Sequence, residues 1–228
     1  MKSSKVSLGH LCGIKIGMAA LSGSLVMLLG CAAVAAGIKP HRAFYGMELG
    51  EANQMSNVQS ISGRSAFTLA RDCDGWVSSE DYIIEFGPQE GKLDRVMSRF
   101  ESWESEDGVK YSFDIKENSS FDAPQDFNGY ATISADGGGA YFSMASDVSV
   151  ALPSNTYFPV KHLSAIIAHA KSGKKILAAS VFTGAKPDDA LLATNTVIGG
   201  WDEGNAGNLI GDLGTDGFWP VRVAYFKP

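Results

Sequence analysis

Apolar and polar residues alternate along most of this chain. In Val109-Lys110-Tyr111-Ser112-Phe113-Asp114-Ile115-Lys116 the alternation is strict, which at a two-residue period gives a strand one apolar and one wet face. Ala43, Tyr45, Met47 and Leu49 repeat it, as do Tyr82, Ile84 and Phe86. Asp74-Gly75, Asp107-Gly108 and Asp136-Gly137-Gly138-Gly139 punctuate these runs. Their glycines take positive φ at little cost, so they read as turns between successive antiparallel hairpins. Further strands are expected near residues 62–72, 92–103, 128–135, 140–150, 174–183, 190–199 and 218–226.

One segment departs from this period. Between Pro159 and Gly173, Leu163, Ile166, Ile167 and Ala170 recur at i, i+3, i+4 and i+7, which places them on one helical face. Pro159 suits the first helical turn and Gly173 a C-terminal stop. The pattern therefore predicts a mainly β fold in which one amphipathic helix covers or plugs a curled antiparallel sheet, with its apolar face buried against that sheet.

The N-terminus is organised differently. Lys2, Lys5 and Lys15 precede an apolar run from about Met18 to Leu29, and no acidic residue occurs before Glu48. The run is shorter than the ~20 residues of a membrane span, and small residues follow it, so residues 1–36 read as a secretory signal peptide. Leu28-Leu29-Gly30-Cys31 offers an alternative, a lipobox in which Cys31 would be lipidated and anchor the protein to a membrane. Residues 37–228 are long enough for one domain with its own core.

Removing residues 1–36 takes away three of the 19 basic residues and none of the 25 acidic ones, leaving 16 against 25, or a net −9. The remaining Lys and Arg are scattered, and a nucleic-acid backbone binder needs them clustered.

Candidate chemistry is sparse. His162 and His169 lie seven residues apart, about 10 Å along a helix axis, too far to share a metal with bonds near ~2 Å. Asp188-Asp189 and Glu80-Asp81 are adjacent carboxylates of the kind usually found on solvated surface, and the glycines at 137–139 lack the Lys-Ser/Thr of a phosphate loop. Trp201-Asp202-Glu203-Gly204-Asn205 with Gly211-Asp212-Leu213-Gly214-Thr215-Asp216-Gly217 could form a loose calcium loop but lacks EF-hand spacing. No nucleophile elbow, zinc-protease helix or zinc-type cysteine pair occurs, and neither enzymatic activity nor a cofactor is expected. The aromatic strand residues Tyr82, Phe86, Trp103, Tyr111 and Phe113 instead line either a filled core or an apolar cavity for a lipid-like ligand.

Four stretches carry a family resemblance: "KPHRAFYGMEL", "GRSAFTLARDCDGW", "TYFPVKHL" and "ATNTVIGG". In this order and spacing, from about Lys39 to Phe226, they resemble the cell-envelope integrity protein EipB family, formerly described as a domain of unknown function. The resemblance implies a β-spiral, an open-barrel-like sheet with a helix, similar in outline to the LolA and LolB lipoprotein carriers. It implies a periplasmic role in envelope integrity under stress, without known catalysis, and association with tetratricopeptide-repeat envelope proteins. His41, Arg42, Tyr45, Cys73, Asp74, Gly75, Trp76, Phe158, Pro159 and His162 match the family's motif positions, whose alternative reading is that they build the fold.

Cys73 matches a cysteine that family members join by a disulfide to one near the C-terminus, and no such partner follows it here. Cys12 and Cys31 precede the predicted mature soluble chain, so Cys73 is expected to be a buried thiol or a link to a second chain, including a Cys73-linked dimer. The alternative expectation is that the chain is incomplete at its C-terminus and lacks the segment that carries the partner cysteine. Two functions remain at this stage: a non-enzymatic periplasmic factor acting through protein contacts, or a periplasmic carrier of a lipid or lipoprotein acyl chain.

Overall fold

The period-two runs become antiparallel strands. The computed structural model describes residues 37–50, 58–88, 93–144, 148–203 and 217–227, all within one compact unit, Ala35–Pro228. Strands β1 (His41–Glu48), β2 (Val58–Arg71), β3 (Gly75–Pro88) and β4 (Asp94–Ser105) come first. They are followed by β5 (Lys110–Ser119), β6 (Gln125–Ser134), β7 (Gly137–Ser143) and β8 (Val148–Leu152). Each pairs with its sequence neighbour, giving an eight-stranded antiparallel meander in the order β1 to β8. The span expected as one strand over 140–150 is thus divided between β7 and β8.

The chain then changes topology. A turn closed by the Thr156 amide on the Pro153 carbonyl (3.0 Å) leads into β9 (Thr156–Tyr157), helix α1 (Pro159–Lys171) and β10 (Ile176–Phe182). A single-turn helix (Pro187–Asp189), β11 (Leu191–Ile198) and β12 (Val221–Phe226) complete the described elements. β9 pairs with β10 in parallel, and a parallel pair needs a crossover, which α1 supplies. That crossover carries β9–β12 out of the first ladder into a second sheet of order β12-β11-β10-β9. The single curled sheet expected from the sequence, the β-spiral or open barrel of LolA/LolB outline, is therefore replaced by two open sheets. Alternation specifies strands and faces, but it carries no signal for where a meander is broken.

Register divides the large sheet into two faces. Trp76, Glu104, Tyr111, Ala131 and Ala140 stand in one cross-strand row, and Ser78, Ser102, Phe113, Gly129 and Phe142 in the next. On this inner face Tyr111, Phe113, Phe127 and Phe142 are buried together with Phe158 and Phe182 of the second sheet's layer. The Tyr111 ring stacks on Phe158 at 5.1 Å, Phe182 meets Phe113 edge-on at 5.8 Å, and the Tyr111 hydroxyl donates to the Thr183 carbonyl at 3.1 Å. Each large side chain so buried contributes about 1.5–3 kcal/mol. Sheets and helix therefore share one core.

A smaller cluster holds α1 to the second sheet. Ile166 and Ala170 pack with Leu177, Ala179 and Ile198. Leu163 does not join them and remains 40% exposed, while His162, one position earlier, is buried. Gly173 ends the helix at φ +76°.

Two of the predicted turns use glycine for positive φ, Gly108 at +70° and Gly137 at +111°. Gly75 is needed for a different reason. A Cβ there would stand 2.3 Å from the Glu104 carbonyl oxygen and 2.9 Å from the Trp103 indole nitrogen, so only glycine permits β3 to lie this close to β4.

The helix start is completed from afar. Phe158 at the N-cap supplies no side-chain hydrogen bond, although the first amides of a helix have no partner within it. Glu104, 2% exposed on β4, accepts from the Val160 and Lys161 amides, 2.7 Å each. Burial pushes this carboxyl up to about 7 from 4.5, with the two amides and the Lys161 charge pulling the other way.

The direction of that shift sets a pH dependence. Between about 4.5 and 7 the folded state holds a proton that the unfolded chain releases, so stability falls as pH rises through this window, by about 3 kcal/mol for such a shift. Urea unfolding from pH 4 to 8 should show this slope in the native chain and lose it in Glu104→Gln, which should also be less stable by about 1–3 kcal/mol at pH 5. Parallel curves for the two proteins would contradict the assignment. In the smaller cluster, Ile166→Ala should cost about 2–5 kcal/mol and Ile166→Asp should prevent folding, whereas unchanged melting would refute the packing of α1.

Candidate functional site

Many of the residues singled out in the sequence gather around Glu104. Trp76 is its cross-strand partner on β3 and Tyr111 its partner on β5, Phe158 stacks on Tyr111, and Pro159 opens the helix that Glu104 caps. His162 accompanies them one turn on. It is buried, its Nε2 lies 3.5 Å from the Thr194 hydroxyl, and burial lowers its pKa, which favours neutral imidazole. Nothing here aligns an activated nucleophile with a base. The arrangement joins two sheets.

The β2–β3 turn lies beside this junction. Cys73 and Asp74 are exposed, and the Cys73 amide donates to the Asp72 carboxylate at 2.7 Å. Exposure corrects the expectation of a buried thiol. Cys73 forms no disulfide among the described residues, and Cys12 and Cys31 lie outside them. Arg71 spans the turn, its guanidinium 4.9 Å from the Trp76 ring centre and paired with Glu106. At the sheet edge His41 lies 5.6 Å from the Phe67 ring, Arg42 donates to the Thr68 hydroxyl at 3.4 Å, and Tyr45 is exposed.

The aromatic cavity candidates separate. Tyr111 and Phe113 fill the core; Tyr82 and Phe86 share the inner face with them; Trp103 stands on the opposite, outer face. Two clefts of opposite character result.

The inner cleft, about 430 Å³, lies between the large sheet and the segment after β10. Its floor is Phe100, Ile115 and Phe127, and its rim carries Glu80, Glu117 and Asp189 against Lys186. Tyr82 donates to Glu117 at 3.1 Å, and its hydroxyl pKa is raised, first by burial and then by that carboxylate. This rim is acidic.

The outer cleft, about 690 Å³, crosses β1 to β5 on the other face. One row runs Phe44, Ala66, Asp81, Arg99, Lys116 and the adjacent row Arg64, Ile83, Met97, Asn118. Asp81 accepts from Arg99 Nε at 2.7 Å. Arg64 and Lys116 have no ion-pair partner among the described residues. This cleft is basic and apolar.

A third depression, about 360 Å³, runs between α1 and β12, lined by Leu163, Ile167, Trp219, Val221 and Tyr225. It is the exposed side of the helical face that the sequence pattern assigned to the core.

His169 Nδ1 lies 2.9 Å from the Ala165 carbonyl of its own helix, and among the described residues no three His, Cys, Asp or Glu side chains are grouped to hold a metal ion. Of the calcium-loop candidates, residues 204–216 lie outside the described residues, while Asp202 and Phe218 exchange backbone hydrogen bonds at 2.9 Å. No described helix is long and apolar enough to cross a membrane.

Glu104 and the cations of the outer cleft were not singled out from the sequence. A signal for the first exists: Phe100, Ser102 and Glu104 fall at i, i+2 and i+4, so a carboxylate occupies the parity of the apolar face. For Arg64, Arg99 and Lys116 there is none, because three strands supply them and only register brings them together.

Over 217 residues, 91% of this chain and 77% of the relative, the sequence is 24% identical to the cell envelope integrity protein EipB of Brucella abortus (strain 2308). A crystal structure from Brucella abortus, described as a beta-barrel-like protein of domain of unknown function DUF1849, superposes with a TM-score of 0.74 at 23% identity, covering 82% of this chain and 78% of that one. The family model described as EipB-like matches residues 32–228, and the chain belongs to the EipB-like family.

Proposed function

We propose that this protein is a non-enzymatic periplasmic factor that supports the cell envelope under stress through protein contacts. Family membership supports the envelope role, and the N-terminal signal pattern supports export. The observation that carries the contact mechanism is the groove between α1 and β12. Leu163, Val221 and Tyr225 are 40%, 41% and 55% exposed there, beside a strand that among the described residues pairs with β11 alone. An apolar groove at a sheet edge suits an amphipathic helix or an added strand, and the helical repeats of a tetratricopeptide-repeat protein would present such helices.

The outer cleft favours a second reading, a carrier of a lipid or acyl chain, since its 690 Å³ falls within the ~300–1,000 Å³ of small-ligand sites.

The contact reading is tested by complementation. In a Gram-negative strain lacking the protein, the native chain should restore detergent resistance, and the double variant Leu163→Glu/Tyr225→Glu should not. Because both side chains are exposed, the variant should accumulate and melt like the native protein, within about 0.5 kcal/mol for each surface substitution. Full restoration by a stably folded variant would refute the groove as the contact surface.

A further inference from the structure

We infer that the outer cleft binds an anionic amphiphile, its acyl chain along the apolar stripe and its acidic group at Lys116 and Arg99. This inference rests on the carrier reading and gives it a ligand class. The stripe is built by diagonal neighbours: Phe44 and Ala66 in one row, Ile83 and Met97 in the next. From β1 to β4 it spans three strand spacings, about 14 Å, comparable with a medium-length acyl chain. Phe44 is 75% and Met97 42% exposed, so a chain laid here would remove large apolar surface from water.

Charge selects the headgroup. Arg99 and Lys116 are directly paired across β4 and β5, and the row continues to Asp126 on β6, beyond the lining of the cleft. Arg64 flanks the stripe on β2. Asp81 is the single acid in the lining and accepts from Arg99 through Nε, leaving Lys116 and the other guanidinium N–H groups of Arg99 to meet an anion. The contrast within the molecule is direct: the inner cleft offers an apolar floor too, but Asp189 is paired with Lys227 and the remaining rim acids Glu80 and Glu117 outnumber Lys186, which disfavours a carboxylate or phosphate. The whole chain is acidic at −6, so this basic patch opposes the overall charge rather than following from it. An extended acidic peptide would use the cations but would leave the uninterrupted stripe without a matching chain.

Submicellar calorimetric titrations of the full chain with dodecanoate, dodecyltrimethylammonium and dodecyl maltoside test the proposal. Dodecanoate should saturate at one equivalent and bind better than the other two. Arg99→Gln/Lys116→Glu should weaken it by roughly tenfold or more, the loss expected for charged hydrogen bonds, and Met97→Asp should abolish it, while Lys186→Glu in the inner cleft leaves it unchanged. Equal binding of dodecyl maltoside, insensitive to the Arg99 and Lys116 changes, would overturn the anionic headgroup and leave the carrier reading standing. Absence of binding by all three amphiphiles would overturn both. Loss of dodecanoate binding in Lys186→Glu alone, or binding of an oligoglutamate peptide in its place, would overturn the site or the ligand class.

Discussion

A buried carboxylate holds this molecule together. Two sheets with separate hydrogen-bond ladders meet where Glu104, projecting from the large sheet, accepts the first free amides of the helix that belongs to the small one. The helix has no cap of its own, so its start is defined only when β4 stands beneath it. Burying a carboxylate is costly unless it is fully hydrogen-bonded. The raised pKa of Glu104 is the visible remainder of that cost.

Around this contact the side chains divide the work. Tyr111, the cross-strand partner of Glu104, stacks on Phe158, and both rings continue into the aromatic core. Gly75 allows β3 to approach the Glu104 backbone, and Trp76 stands opposite its side chain. The family-motif positions in the β2–β3 turn and at the helix start are therefore neighbours in space, and their geometry is that of a junction. The concave surfaces lie elsewhere, in the acidic inner cleft, the basic outer cleft and the apolar groove beside α1.

How much of this could be read from the sequence follows from the range of each signal. The strands and α1 are local patterns: Tyr111, Phe113 and Ile115 at period two, Leu163, Ile166 and Ala170 at a helical period. Both appear where expected. The division into two sheets is not local, since β9 is two residues long and its parallel partner lies beyond the helix. Leu163 shows the same limit: helical periodicity puts it on the apolar face, yet Leu177, Ala179 and Ile198 of the second sheet cover Ile166 and leave Leu163 exposed. The outer cleft depends wholly on register, which brings Arg64, Ile83 and Met97 into line from β2, β3 and β4.

The most direct test of the Glu104 junction is amide hydrogen exchange of the intact protein, comparing the Val160 and Lys161 amides with those of β4 and β5. If Glu104 binds the helix start to the large sheet, these two amides should exchange only with the global unfolding that exposes the core strands, and their protection should follow that of Phe100–Ser105 as denaturant is added. Exchange of Val160 and Lys161 at the rate of a frayed helix end, independent of β4, would show that the two sheets are joined by apolar packing alone.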